Sequence, residues 1–331
     1  HRKESVVSHA DPIAQASGYF VGNFKATRGS YEVIEAFLES VVPMLNDKPW
    51  AHSLDLNGAV RWTEYSTSGE VMTWKLGATY SPIRNVTFRG TRSRDIRAPN
   101  LNDLYLAGQV NTQQVSDPFR DNVTALILRP MVGNLNLDPE EADTLGLGVV
   151  YQPTFAPGLS MSLDYYRIDV DKAIATIQQQ AVIDRCFAGN TALCSAIVRD
   201  RNGAVTQITV QPVNLLAETA EGVDIEASYR RPLWSGNLTL RALATHVIER
   251  RIDDGITVTE MAGDNSASAA DWRWLGMASY DNGNYAISLV GRGVSSGKLE
   301  NAYIECSARC PVSTVANRTI DSNDVPGAVY A

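Results

Sequence analysis

Arg92, Arg94, Asp95 and Arg97 put three guanidinium groups and one carboxylate within six residues. Arginine forks hold carboxylates and hydroxyl-rich ligands in bidentate fashion. The run is therefore a candidate ligand-facing cluster, with its three arginines read as crowding one face of a strand near a loop mouth. The alternative is a structural network that fixes the chain where it folds back at Ala98-Pro99. Asp164, Tyr166 and Asp169, which follow the Pro157-Gly158 turn signal, carry the hydroxyl and carboxylate chemistry of sugar contacts; the alternative is ordinary solvated polarity.

Catalytic chemistry finds no foothold. The adjacent acids Asp253-Asp254 and Glu140-Glu141 make poor acid/base pairs, because neighbouring strand residues point to opposite faces. No nucleophile elbow or phosphate loop is present. The four histidines, His1, His9, His52 and His246, are scattered, and His246 caps a strand beside Glu249, Arg250 and Arg251. No metal, cofactor or enzyme activity is assigned.

The four cysteines form two close pairs, Cys186/Cys194 and Cys306/Cys310. Neither pair has redox spacing or nearby histidine ligands. Two local disulfides clamping long loops are expected, which implies an oxidising compartment.

The elements that must carry these groups are strands. Leu54, Leu56, Val60 and Trp62 alternate with Ser53, Asp55, Asn57, Arg61 and Thr63. The same period of two recurs at Met72–Tyr80, Leu145–Tyr151, Leu159–Tyr165, Val223–Tyr229 and Tyr285–Leu289. The opposite face holds Asp164, Asp224, Glu226 and Arg241, which a dry core would not accept unpaired. The segments exceed the about five or six residues usual in globular sheets and suit the roughly nine to eleven that a membrane strand needs.

Short turns near 46–51, 83–85, 153–158, 231–236 and 281–284 alternate with long connections at about 8–29, 98–141, 173–216, 251–270 and 296–325. A tight turn near Ser66–Gly69 breaks the rule. Tyr80, Tyr151, Tyr229 and Tyr280 each stand beside a short turn, with Trp50 and Trp234 inside two of them. Phenol and indole rings favour the bilayer interface. The fold class expected is all-β, an antiparallel transmembrane β-barrel with short periplasmic turns and long extracellular loops. Within the connection from Ala175 to Arg199, loosely helical spacing predicts one or two short helices, packed in the loop or forming a lid.

Composition agrees. Net charge is −8 without a basic cluster, which excludes nucleic acid as an expected partner. Mean hydropathy is −0.16, as a wall with one wet face requires. The chain begins at His1 without methionine and is read as an internal piece of a longer protein.

Two longer runs resemble the C-terminal barrel half of TonB-dependent outer-membrane receptors. Ser93-Arg94-Asp95-Ile96-Arg97-Ala98-Pro99-Asn100-Leu101-Asn102-Asp103-Leu104-Tyr105 opens a long loop. Asn134-Leu135-Asn136-Leu137-Asp138-Pro139-Glu140-Glu141-Ala142-Asp143-Thr144 closes it before the strand ending at Tyr151. Glu221-Gly222-Val223-Asp224 and Val325-Pro326-Gly327-Ala328-Val329-Tyr330 are similar to further strand entrances of that family. The resemblance implies a barrel of about 22 strands, of which residues 1–331 are one incomplete segment of ten or eleven full strands, lacking plug and last strands. It also implies a bacterial outer-membrane location, lipid contact, and uptake of a small ligand driven by the TonB complex through a plug. The ligand would be an oligosaccharide, a siderophore or another metal chelate, and the Arg92–Arg97 cluster would face ligand or plug. A passive porin-like channel and a soluble β-rich binding protein are the rival readings.

Overall fold

The computed structural model describes residues 1–20, 22–255, 257–266, 269–313 and 318–330. Ala331, at the end of the predicted last strand, lies outside the described residues. Strands come in chain order as β1 (Arg2–Val7), β2 (Arg28–Lys48), β3 (Ala51–Tyr65), β4 (Gly69–Ile83), β5 (Val86–Arg97), β6 (Ala107–Asp117), β7 (Val123–Val132), β8 (Glu140–Tyr151) and β9 (Leu159–Thr176). They continue as β10 (Ile197–Arg199), β11 (Val205–Ile208), β12 (Pro212–Leu233), β13 (Gly236–Asp253), β14 (Val258–Glu260), β15 (Trp272–Asp281) and β16 (Ala286–Val294). Four two-residue strands follow, β17 (Gly297–Lys298), β18 (Ile304–Glu305), β19 (Thr319–Ile320) and β20 (Asp324–Val325), and then β21 (Ala328–Tyr330).

One antiparallel wall dominates, in the order β1-β2-β3-β4-β5-β8-β9-β12-β13-β15-β16-β21, with β14 on β13. Its ten strands between the terminal pair agree with the expected count, and β1 and β21 remain open edges. Short links join β2 to β3, β4 to β5, β8 to β9, β12 to β13 and β15 to β16 at one rim. The long connections leave from the other rim, and β3 and β4 are joined there by the tight turn.

Register fixes the faces. Tyr80, Phe88, Val149, Leu163, Ile225, Ala244 and Trp274 stand side by side on successive strands. This face is exposed as well as apolar: Leu76 is 62% and Leu289 71% accessible, values that a soluble sandwich core forbids. At the short-turn rim the Tyr80 hydroxyl donates to the Trp50 carbonyl at 2.6 Å. Trp234 packs edge-on against Tyr280 with centroids 6.1 Å apart. A second aromatic set stands toward the long-loop rim, with Trp62, Trp74, Tyr165, Trp272 and Trp274 on the same face by register.

The dry core lies in the loops. The long connection over 98–141 holds helix α1 (Leu101–Tyr105) and the β6–β7 hairpin. The connection over 173–216 holds α2 (Gln179–Phe187) and α3 (Thr191–Cys194), the short helices that its spacing predicted. Together they build a four-stranded sheet, β10-β11-β7-β6. Val115, Ile127, Val182, Ile183, Val205, Ile208 and Val210 are buried against one another there. Cys186–Cys194 staples α2 to α3, and Cys306–Cys310 closes a tight loop before β19, so both expected disulfides are present.

At the module's edge Arg199 donates to both oxygens of the buried Asp117, at 2.6 and 3.0 Å. The guanidinium holds the Asp117 carboxyl below its ordinary value of 3.8. A carboxylate with a depressed folded-state pKa stabilises above its unfolded value and loses that contribution as pH falls through the folded value. We expect the protection factors of the β6 and β7 amides to fall below about pH 4, and Arg199→Leu to show the lower protection, hence faster exchange, already at pH 7. Equal exchange in the variant and parent at pH 7 would exclude the ion pair as a support.

Candidate functional site

The polar face of the wall is laid out by one hydrogen-bonding row. Arg89 on β5 lies beside Gly148 on β8, Asp164 on β9, Asp224 on β12, Thr245 on β13 and Arg273 on β15. Arg89 reaches across β8 to Asp164 with both prongs, at 2.8 and 2.6 Å. Gly148 makes the crossing possible, because a Cβ there would collide with the Asp164 carboxylate. Asp164 and Asp224 are like charges directly opposite, an unfavourable cross-strand pair on its own. Arg89 relieves the first, and the Thr245 hydroxyl donates to the second at 2.6 Å.

This arrangement predicts coupling. Arg89 is half exposed, so solvent screening holds its pair to about 1 kcal/mol or less. Arg89→Leu lowers the unfolding midpoint of the receptor slightly, and adding Asp164→Asn restores it. Strictly additive losses in that double-mutant cycle would refute the pairing.

One row up, Tyr166 lies between Gly146 and Gly222, and its hydroxyl occupies the space that a side chain at 222 would need. The charges of Asp224, Arg273 and Arg250 all act on it. Tyr166, Glu218, Arg250, Arg273 and the loop residue Ala269 line a cavity of about 310 Å³. Arg250, Arg273 and, on β16, Arg292 have no carboxylate within ion-pair distance among the described residues. Arg292 instead stacks over Tyr330 at 5.8 Å. Sequence reading missed these three arginines as a group. Parity signals Arg273 and Arg292, whereas Arg250 reaches the polar face only through the irregularity of β13 between Val247 and Glu249.

Of the sequence-predicted residues, Asp164 and Tyr166 share the polar face and adjacent rows. The Arg92–Arg97 run does not stay together. The unbroken β5–β8 register puts Arg92 opposite Leu145 and Arg94 opposite Asp143, on the apolar face. Asp95 and Arg97 take the polar face. The crowding of three arginines on one face is therefore corrected, since 97 differs in parity from 92 and 94. Arg94 holds Asp143 at 3.0 and 2.7 Å. Arg97 holds Glu140 at 2.6 Å and stands 3.6 Å from Asp103 in α1, tying both ends of the 98–139 connection together. Asp95 accepts from Ser93 at 2.8 Å. Asp169 also moves to the apolar side, where Arg167 grips it at 3.0 and 3.1 Å. His246 stacks on Trp272 with centroids 4.5 Å apart.

Among the described residues no group of three or more His, Cys, Asp or Glu side chains could hold a metal ion. No described helix is long and apolar enough to cross a membrane, which leaves strands untouched.

A family model described as TonB dependent receptor-like, beta-barrel matches residues 8–319. No curated protein matches the chain. Among solved structures, a mutant of the ferric enterobactin receptor PfeA from Pseudomonas aeruginosa aligns with TM-score 0.59 and 15% identity over 92% of this chain and 37% of its own. The siderophore receptor PirA from Acinetobacter baumannii gives 0.61 and 17% over 91% and 39%. The FrpB iron transporter from Neisseria meningitidis gives 0.54 and 15% over 92% and 38%. At these identities the likeness concerns fold, and the chain spans well under half the length of each.

Proposed function

The chain belongs to the TonB-dependent receptor-like β-barrel family, and from that membership we propose that the whole protein takes up an anionic metal chelate of the siderophore type through TonB. The family is one of receptors and transporters in the Gram-negative outer membrane. The exposed apolar face is therefore the lipid face, the short turns are periplasmic, and the polar face looks into the lumen.

The observation that carries the ligand class is the trio Arg250, Arg273 and Arg292 on three neighbouring lumen-facing strands, without carboxylate partners among the described residues. Unpaired guanidinium groups beside a tyrosine hydroxyl suit a negatively charged, hydroxyl-bearing ligand. A neutral oligosaccharide would leave them unmatched. Iron-chelate receptors among the structural neighbours support the same reading. Asp164 and Tyr166 are proposed as wall contacts, with Arg97 and Asp95 at the mouth. Residues 1–331 are one stretch of barrel wall; the plug that engages TonB and the remaining strands would come from elsewhere in the protein. No catalytic step is proposed.

The test is uptake of iron-55 siderophores by cells expressing the full-length receptor. Uptake should require TonB and fall about tenfold in the Arg250→Leu, Arg273→Leu double variant, as loss of charge-assisted contacts implies. TonB-independent uptake would favour a passive channel. Unchanged uptake in the variant would remove the arginines from the ligand path.

A further inference from the structure

Arg92 is a charge on the lipid face, at the level where that face turns from apolar to ionised. It is exposed on the lipid face, level with Leu76 on β4 and Leu145 on β8. Gly90 and Leu147 lie one pair of residues nearer the periplasm on the same face. Its row is the lowest of a collar of ionised groups on that face, since Leu145 pairs with Arg167 and Arg167 with Glu221. There Arg94 holds Asp143, and Arg167 reaches both Asp169 and Glu221, the latter at 2.8 Å. On β4 the apolar face continues upward through Trp74 and Met72. Arg92 thus stands at the lower edge of that collar, in the row of Arg167 and beside the apolar flank of β4.

Arg92 has no ion-pair or hydrogen-bond partner among the described residues, although its charge acts on both Asp143 and Asp169. Those two carboxylates already accept bidentate arginine forks. A lipid-facing arginine is unfavourable at depth and becomes tolerable toward the interface, which its long stem reaches by snorkelling. No described carboxylate lies within ion-pair distance of Arg92, which leaves its guanidinium open to an anion at the membrane surface.

We infer that Arg92 binds the phosphate group of a phosphorylated lipid in the outer leaflet, seating one lipid at the β5–β8 seam at the lower edge of the ionic collar. The guanidinium fork matches phosphate oxygens bidentately, and Leu76, Leu145 and Leu147 offer the acyl chains an apolar bed. The inference rests on the outer-membrane placement and not on the identity of the transported ligand.

The experiment uses the full-length receptor in detergent and native mass spectrometry with a phosphorylated glycolipid, lipid A, and its dephosphorylated form. Wild type should retain the phosphorylated lipid preferentially. Arg92→Leu should weaken that retention about tenfold, as loss of a charge-assisted hydrogen-bond pair implies, and Arg92→Lys should fall between. Lys75→Leu, one position from Leu76 but on the lumen face, should match wild type. Heat-modifiable migration confirms that each variant is folded, and Arg92→Lys serves if the leucine variant is not. Equal retention by wild type and Arg92 variants overturns the assignment, as does equal loss in Lys75→Leu. Complete displacement by millimolar inorganic phosphate would make the site one for free anion and overturn the lipid. Wild type retaining neither lipid overturns the lipid assignment, whereas loss of heat-modifiable migration in wild type would overturn the membrane placement, so the two failures are distinguishable.

Discussion

Ile183→Ala is expected to unfold the loop module of the full-length receptor while the barrel wall stays intact. Ile183 is fully buried at the centre of a core of seven side chains drawn from β6, β7, α2 and β11 and from Val210 beyond it. Truncating a buried isoleucine costs about 2–5 kcal/mol, because the lost contacts leave a cavity. A module with so few buried side chains has little stability in reserve. The wall does not share this core, since its long ladders are hydrogen-bonded strand to strand and its apolar side chains face outward. Limited proteolysis should therefore nick residues within 107–132 and 179–210, while heat-modifiable migration of the receptor is unchanged. Val198→Ala, at a position 48% exposed, should remain resistant. If Ile183→Ala is as protease-resistant as the parent, the loop core is not what holds the module.

The second large effect separates the two faces of one strand. Leu163→Arg should destabilise the barrel by about 2–4 kcal/mol, the penalty of arginine near the middle of the lipid band. Ser162→Arg, one residue away, should change little, because its side chain enters the lumen opposite Glu226. Leu163 lies midway up the apolar run from Leu159 to Tyr165 and is 48% exposed. Urea unfolding in lipid vesicles measures the difference. Equal midpoints for the two variants would contradict the assignment of faces and with it the transmembrane reading.

Much of the wall was legible because period-two patterning is local. Leu54, Leu56, Val60 and Trp62 declare their face without reference to any other strand. The tyrosines at 80, 151, 229 and 280 mark one rim through their nearness to short turns. The second aromatic set went unread, since Trp62, Trp74, Tyr165 and Trp272 occupy different positions along their strands and align only across the pairing. The loop module was half legible. Its helices betrayed themselves by spacing around Cys186 and Cys194, whereas β6 and β7 are mixed in polarity. Their apolar side chains find a core only when the connections over 98–141 and 173–216 come together.

The candidate site was less legible still. Arg92 and Arg97 were grouped by nearness in sequence, although parity already places them on opposite faces. Asp164 was singled out without its partner, because Arg89 lies 75 positions away and reaches it only over a glycine on an intervening strand.

By itself the sequence determined the strands, their two faces, the rims and the cysteine pairs. Each depends on residues within a turn or a few pleats of one another. The tertiary structure decided which charges meet, which arginines remain unmatched, and that the buried core sits in the loops. Those outcomes follow from register between distant strands, where a shift of one residue would carry every side chain to the other face.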